Sequence, residues 1–210
     1  MNMKQAAELL SREGKSMIYK NNSLQEEVSP YDNYYQLKED EHKWVYGFWM
    51  VERQNNPYFK KRKEFDTEEE GAKYFFLQTL STHYFSKYLE EFIKQHPEVD
   101  IYGDTFDERV LRQAMSLLSI PSTLLANDKN QITNKAIVLE KSGDSHTVIL
   151  FVNEKGETVK STLPIENESV MFFAFKKVYK LYLFEKKVSP LLESYNLRDQ
   201  FTDEDIFLFI

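Results

Sequence analysis

The 210 residues carry 27 Lys/Arg against 34 Asp/Glu, giving a net charge of −7, and they include no cysteine. Disulfides, thiolate catalysis and Cys-based zinc or iron–sulfur sites are thereby excluded, and the acidic balance argues against non-specific binding to nucleic acid or anionic membranes. The most apolar stretch, 170–184, is interrupted by Lys176, Lys177 and Lys180 and falls short of the roughly 20 apolar residues that span a bilayer. The N-terminus has no uninterrupted apolar signal core, so a cytoplasmic location is expected.

In chain order, the spacing predicts a helix over 3–12 that stops near Gly14. A polar loop with Asn21-Asn22-Ser23 and Pro30 leads to a strand over 34–38. Glu39-Asp40-Glu41-His42 reads as a turn, followed by a long strand over 43–54, the breaker Asn55-Asn56-Pro57 and a strand over 58–65. Thr67-Glu68-Glu69-Glu70 fits a capping box, and the acidic first turn complements the helix dipole. The apolar stripe Ala72, Phe75, Phe76, Leu80, Tyr84 extends through Leu89 and Phe92, with a break or bend expected near Ser81–Ser86.

Beyond a linker at 97–104 the pattern recurs. A helix over 106–118 turns at Ile120-Pro121, strands are expected over 135–140, 146–153 and 157–163, and a helix runs over 167–187. Pro190 begins a further helical turn, and Phe207-Leu208-Phe209-Ile210 is expected to pack on the body. Matching segments support a duplication: Gln5-Ala6-Ala7-Glu8-Leu9-Leu10-Ser11 shares five of seven positions with Gln113-Ala114-Met115-Ser116-Leu117-Leu118-Ser119, and 37–53 and 65–70 lie over 139–155 and 163–168. The expected fold class is α+β: two degenerate α-β-β-β-α repeats, 1–96 and 105–210, each a small antiparallel sheet packed with helices, the copies packed on each other. The central strands are apolar on both faces, with Tyr46 and Phe48 opposite Val45 and Trp49, and Val148 and Leu150 opposite Ile149 and Phe151. One face of each suits its own helices, and the sister copy is the economical cover for the other.

Reactive constellations are sparse. His42, His83, His96 and His146 form no His-x-x-x-His pair, and His83 sits on an apolar stripe as a core histidine would, so no metal site is expected. Asp66 to Glu70 have a capping role, and Asp203-Glu204-Asp205 lack the spacing of a calcium loop. Lys60-Lys61-Arg62-Lys63 alternates across a strand, two residues to a face, and suits an edge strand guarded against aggregation. No glycine-rich phosphate loop or dinucleotide fingerprint occurs, and no cofactor or catalytic residue is assigned.

The run Phe65-Asp66-Thr67-Glu68-Glu69-Glu70-Gly71-Ala72-Lys73-Tyr74-Phe75 resembles small immunity proteins of bacterial polymorphic toxin systems. In these, an aromatic-bearing strand and Glu-Arg precede Phe-x-Ser/Thr-Glu-x-Glu-Ala and an aromatic-rich helix. Tyr46 and Glu52-Arg53 match the strand part, and Leu118-Ser119-Ile120-Pro121 resembles a Leu-x-Ile-Pro turn in the second copy. Gln54 stands where glycine is usual, Gly71 where alanine is usual, and the second copy has Glu154-Lys155 in place of Glu-Arg. The resemblance implies a non-enzymatic inhibitor that blocks a cognate toxin domain, and no residue role transfers with it because such contacts are toxin-specific. On this reading Glu39, Asp40 and Glu41 are rim contacts for a basic toxin, a nuclease being compatible. The alternatives are a small-molecule-binding protein or enzyme with a pocket between the repeats, and a structural or adaptor protein.

Overall fold

The computed structural model describes residues 1–51, 56–103, 106–129, 132 and 134–210. Glu52, Arg53, Gln54, Asn55 and Asp104 of the expectations above lie outside the described residues. The chain divides into two compact units, Met1–His83 and Tyr84–Ile210, so the boundary falls inside a helix and ahead of the expected linker at 97–104.

The first unit opens with α1 (Met3–Arg12), which starts and stops for identifiable reasons. The Asn2 side chain accepts the Gln5 N–H at 2.9 Å while the Gln5 side chain accepts the Asn2 N–H at 3.0 Å, closing a capping box. At the other end Gly14 takes φ +93° and the Lys15 N–H bonds the Leu10 carbonyl, the geometry of a Schellman stop. The stretch read as a polar loop then forms a hairpin, β1 (Met17–Lys20) and β2 (Ser23–Glu26). Asn21 and Asn22 both adopt left-handed conformations, at φ 50° and 52°, which asparagine tolerates and which match the twist of a two-residue hairpin.

β3 (Tyr34–Asp40), β4 (Lys43–Met50) and β5 (Tyr58–Phe65) follow, and the five strands pair in order, antiparallel throughout. The expected three-stranded sheet is therefore corrected to five. α2 (Glu68–Gln95) begins where Thr67 Oγ1 accepts the Glu70 N–H at 3.2 Å. Its 28 residues are continuous through Ser81–Ser86, about 42 Å at the usual rise. Glu68 has a second use, accepting the free Met3 N–H of α1 at 2.8 Å. Leu24, Leu37, Tyr46, Phe75, Phe76 and Leu80 are buried in this unit. Gly71 permits close approach of α2 to β3, since a Cβ there would lie 2.9 Å from Leu37 Cδ1.

The second unit contains the remainder of α2 and then α3 (Glu108–Leu117), capped by Asp107 accepting the Val110 N–H at 2.8 Å. β6 (Leu125–Ala126) pairs parallel with β7 (Ala136–Lys141), so this sheet is not wholly antiparallel. β7 pairs antiparallel with β8 (His146–Val152), whose far side receives β9 (Thr158–Ser161) and then β10 (Ile165–Glu166). The single strand expected over 157–163 is thus shortened to β9, and an unexpected short strand, β10, follows just after Pro164, which has no N–H to donate. α4 (Asn167–Leu183) ends in a π-helical turn at Phe184–Val188, just before α5 (Ser189–Ser194). Pro190 removes an amide donor from the ladder there, and the looser turn precedes it. α6 (Asp203–Phe209) carries the apolar C-terminal run inward: Phe209 is fully buried and stacks edge-on to Phe184 at 5.4 Å.

Part of the cover for the second apolar face of this sheet comes from within the unit. Val138, Leu150 and Val152 form a buried cluster, and Ala126 and Ile132 pack against it.

Candidate binding surface on the first sheet

Directly paired residues in a ladder share a face. The register therefore sorts the first sheet into two surfaces. Leu24, Leu37, Tyr46 and Lys63 lie on one, with Tyr35 beside Phe48 and Trp44 beside Phe65. This side meets α2: the Tyr46 ring is 5.0 Å from Tyr74 and 6.0 Å from Phe75, both edge-on. Burial, reinforced by the neighbouring Tyr35 and Tyr74, raises the Tyr46 hydroxyl well above its ordinary pKa. A phenol in that setting stays neutral and structural.

The opposite surface holds Tyr34, Gln36, Lys38, Val45, Gly47, Trp49 and Phe59. Trp49 lies across the strands because its indole N–H donates to Gln36 Oε1 at 2.8 Å. The Gln36 amide in turn donates to Ser23 Oγ and to Gln25 Oε1, both at 2.7 Å, so one side chain ties β2, β3 and β4 together. Tyr34 stacks on Trp49 at 6.3 Å, and Phe59 tilts against it at 5.6 Å. The Phe59 ring occupies the space above Gly47, where a Cβ would meet Phe59 Cζ at 2.3 Å, and Lys38 Nζ sits 4.6 Å from the same ring. The result is a half-buried panel of three rings braced by amides. It accounts for part of the second apolar face of β4 within the unit itself.

The acidic turn projects from the other end of the same strands. Glu41 and His42 are the two turn residues, at φ 48° and 68°, and Asp40 pairs with Lys43 across the hairpin. Glu39, Asp40 and Glu41 are exposed, and Glu39 is steadied by a 2.9 Å bond from the Asn22 side chain. Lys43 bridges to Asp66, and that bond, followed by the lysine's charge, lowers the Asp66 pKa. Tight two-residue turns hold their tips rigidly, so these carboxylates are displayed at little entropic cost to a partner.

The basic run is distributed differently from the two-and-two alternation. Lys60 and Lys63 share the helix-side face and Lys61 the other, while the register shift between Tyr46 and Gly47 makes Arg62 the extra residue of a bulge. Lys63 lies over the Tyr74 ring at 4.5 Å and Lys61 pairs with Glu64. Among the described residues β5 pairs with β4 alone, so the run does stand on a sheet edge.

The histidines are scattered. His83 Nε2–H donates to the Glu13 carbonyl at 3.0 Å, His96 lies beside Glu98 at 3.3 Å, and His146 contacts Ser145 Oγ at 2.9 Å. Among the described residues no three His, Asp or Glu side chains are grouped to hold a metal ion. In the second unit an open depression of about 650 Å³ is lined by Ile101, Tyr102, Phe106, Glu168, Phe172 and Phe173.

Sequence reasoning singled out Glu39, Asp40 and Glu41 and missed Gln36, Gly47, Trp49 and Phe59 as a unit. Gly47 was the available signal, since glycine amid aromatic strand residues marks a close approach of other groups. Comparison with protein-family models, with curated proteins and with solved structures finds no match to this chain.

Proposed function

We propose that the chain is a non-enzymatic immunity-type protein that binds a cognate bacterial toxin domain and blocks it by stoichiometric occlusion. The observation that carries this reading is the first sheet's pairing of a rigid acidic tip, Glu39-Asp40-Glu41, with a braced panel of Tyr34, Trp49 and Phe59. Interfaces draw their affinity from aromatic anchors and their association rate from complementary charge, and one sheet supplies both here. Asp40 is six residues along β3 from Tyr34, about 20 Å at strand rise, which lies within one interface of ordinary size. A net charge of −7 favours a basic partner, as a nuclease domain would be.

The test is affinity capture from the native host followed by co-expression. Recovery of a secreted toxin's C-terminal domain in a 1:1 complex, together with rescue of growth when the two are expressed together, supports the reading. Rescue that survives loss of complex formation, or no rescue from any toxin encoded beside this chain, refutes it.

A further inference from the structure

α4 places Lys176, Lys177 and Lys180 within five residues. Lys176 and Lys180 are one turn apart and converge on a single ring, each Nζ lying 5.6 Å from the centre of Phe85. Lys177 turns to the adjacent side, 4.8 Å from the Phe207 ring, and donates to the Ile210 carbonyl at 3.4 Å. Two further ammonium groups continue the band, Lys187 at 4.5 Å and Lys87 at 5.6 Å from the Tyr88 ring. The acids on the same stretch of α2 are Glu90 and Glu91; the charge of Glu91 acts on the Tyr179 hydroxyl and its side chain accepts from Gln95.

Among the described residues, no carboxylate side chain pairs with Lys176, Lys177 or Lys180. Their environment registers the missing counter-charge. Burial, then Lys176, then Lys177 bring Lys180 down to about 8, and burial followed by Lys176 lowers Lys177. Ring faces attract an ammonium group, but they carry no net charge to neutralise it. Two cations held against one ring, with a third on the adjacent side of the helix, are completed by an oxyanion of charge −2, which can accept from more than one ammonium group at once.

We propose that Lys176 and Lys180 form an oxyanion site for a phosphate-class dianion, seated between α4 and the Phe85 ring. The site is independent of the toxin-binding reading: it uses another unit and the opposite charge. Its ligand is free phosphate or the phosphoryl group of a small metabolite, since both present the same dianion.

The test is lysine side-chain NMR on the full chain during titration with inorganic phosphate, against chloride and acetate at matched ionic strength. Phosphate is expected to give saturable shifts at Lys176 and Lys180, and to raise the Lys180 titration midpoint from about 8 by a unit or more. Lys180→Met and Lys176→Gln are expected to weaken binding at least about tenfold each, in keeping with the loss of one charged hydrogen bond, while Lys87→Gln leaves it within about twofold. Adenosine monophosphate is run in parallel: tighter binding than phosphate assigns the site to a phosphorylated metabolite, and equal binding assigns it to the free ion. Shifts that rise linearly and equally with all the salts overturn the proposal. So does saturable binding that persists unchanged in both Lys180→Met and Lys176→Gln.

Discussion

Replacing Gly47 by alanine tests the aromatic panel at its tightest point. The added Cβ would lie 2.3 Å from Phe59 Cζ and 2.8 Å from the Lys60 carbonyl oxygen. The ring can swing away, but the carbonyl belongs to the β4–β5 ladder and can yield only by distorting it. Overpacking of this kind costs about 1–3 kcal/mol. Moving Phe59 off Trp49 forfeits a ring pair worth about 0.5–1.5 kcal/mol, and alanine recovers roughly 0.5–1 kcal/mol of the entropy that glycine loses in a strand. The net expectation is destabilisation of about 1–3 kcal/mol. Urea unfolding followed by Trp49 fluorescence in a Trp44→Phe background reads it, with the wild-type pair of variants as reference. Gly47→Ala should lower the midpoint and shift Trp49 emission to the red as Phe59 leaves. A change under about 0.5 kcal/mol, the range of ordinary surface substitutions, with unaltered emission would show that Phe59 does not sit over Gly47.

Gln36→Leu leaves the Trp49 indole N–H and the Gln25 Oε1 without their partner, and should cost about 1–3 kcal/mol in the same urea assay; a neutral outcome would mean water serves equally well. Thr67→Ala removes the oxygen that receives the Glu70 N–H and should cost about 1 kcal/mol, with Thr67→Ser recovering most of it. Reversing Glu39, Asp40 and Glu41 to lysine should change stability by less than about 0.5 kcal/mol per site while slowing association with a basic toxin domain at least about tenfold at low salt. An unchanged association rate by stopped flow removes the tip from the interface. The lysine cluster predicts a pH effect of unusual sign. Lys180 has a folded pKa near 8, below the unfolded value of 10.5, so between those limits the unfolded chain binds more protons and stability rises with pH. Tyr46 and Tyr179 act oppositely, because their raised folded values make stability fall as the unfolded tyrosines ionise above about pH 10. The difference between wild type and Lys180→Met isolates the first effect, and a pH-independent difference from 7 to 10 contradicts it.

What local chemistry determines was legible in the residues. The Thr67 cap, the helix over 3–12, the starts of β3, β4 and β5, and the acidic hairpin tip all follow from spacing and turn propensity. The β1–β2 hairpin was not, because four-residue strands bear little periodicity and Asn21-Asn22 reads equally as loop; the pairing of β2 with β3 decides it. β6 is two residues long and exists only because β7 lies beside it. The panel of Gln36, Trp49 and Phe59 is a tertiary object as well. Its members come from three strands, and a glutamine in a strand gives no hint that its amide will brace a tryptophan two rungs away. The doubly apolar strands call for a second cover, and the Phe59 ring over Gly47 and the Ala126 and Ile132 side chains supply part of it locally.

The duplication changes meaning when the helix caps are compared. Asn2 and Asp107 play the same role, each accepting the amide three residues on. Gly14 and Ser119 play the same role at the other end, both left-handed, with Lys15 and Ile120 closing equivalent bonds to Leu10 and Met115. These pairs are separated by a constant 105 residues, whereas the matching heptapeptides are separated by 108. The five identities are therefore three positions out of structural register. They persist as a resemblance because a shift of three nearly preserves a helical face: Ala114 and Met115 are buried whether they answer to Ala6 and Ala7 or to Leu9 and Leu10. What the two units share is a cap, a helix of ten residues, a left-handed stop, a sheet and a second capped or acidic helix, in that order. Ser119 holds the left-handed position where Gly14 carries no penalty, so the second stop is the more strained of the two. A repeat of architecture is enough to explain that order, and the heptapeptide identity adds no independent weight to it.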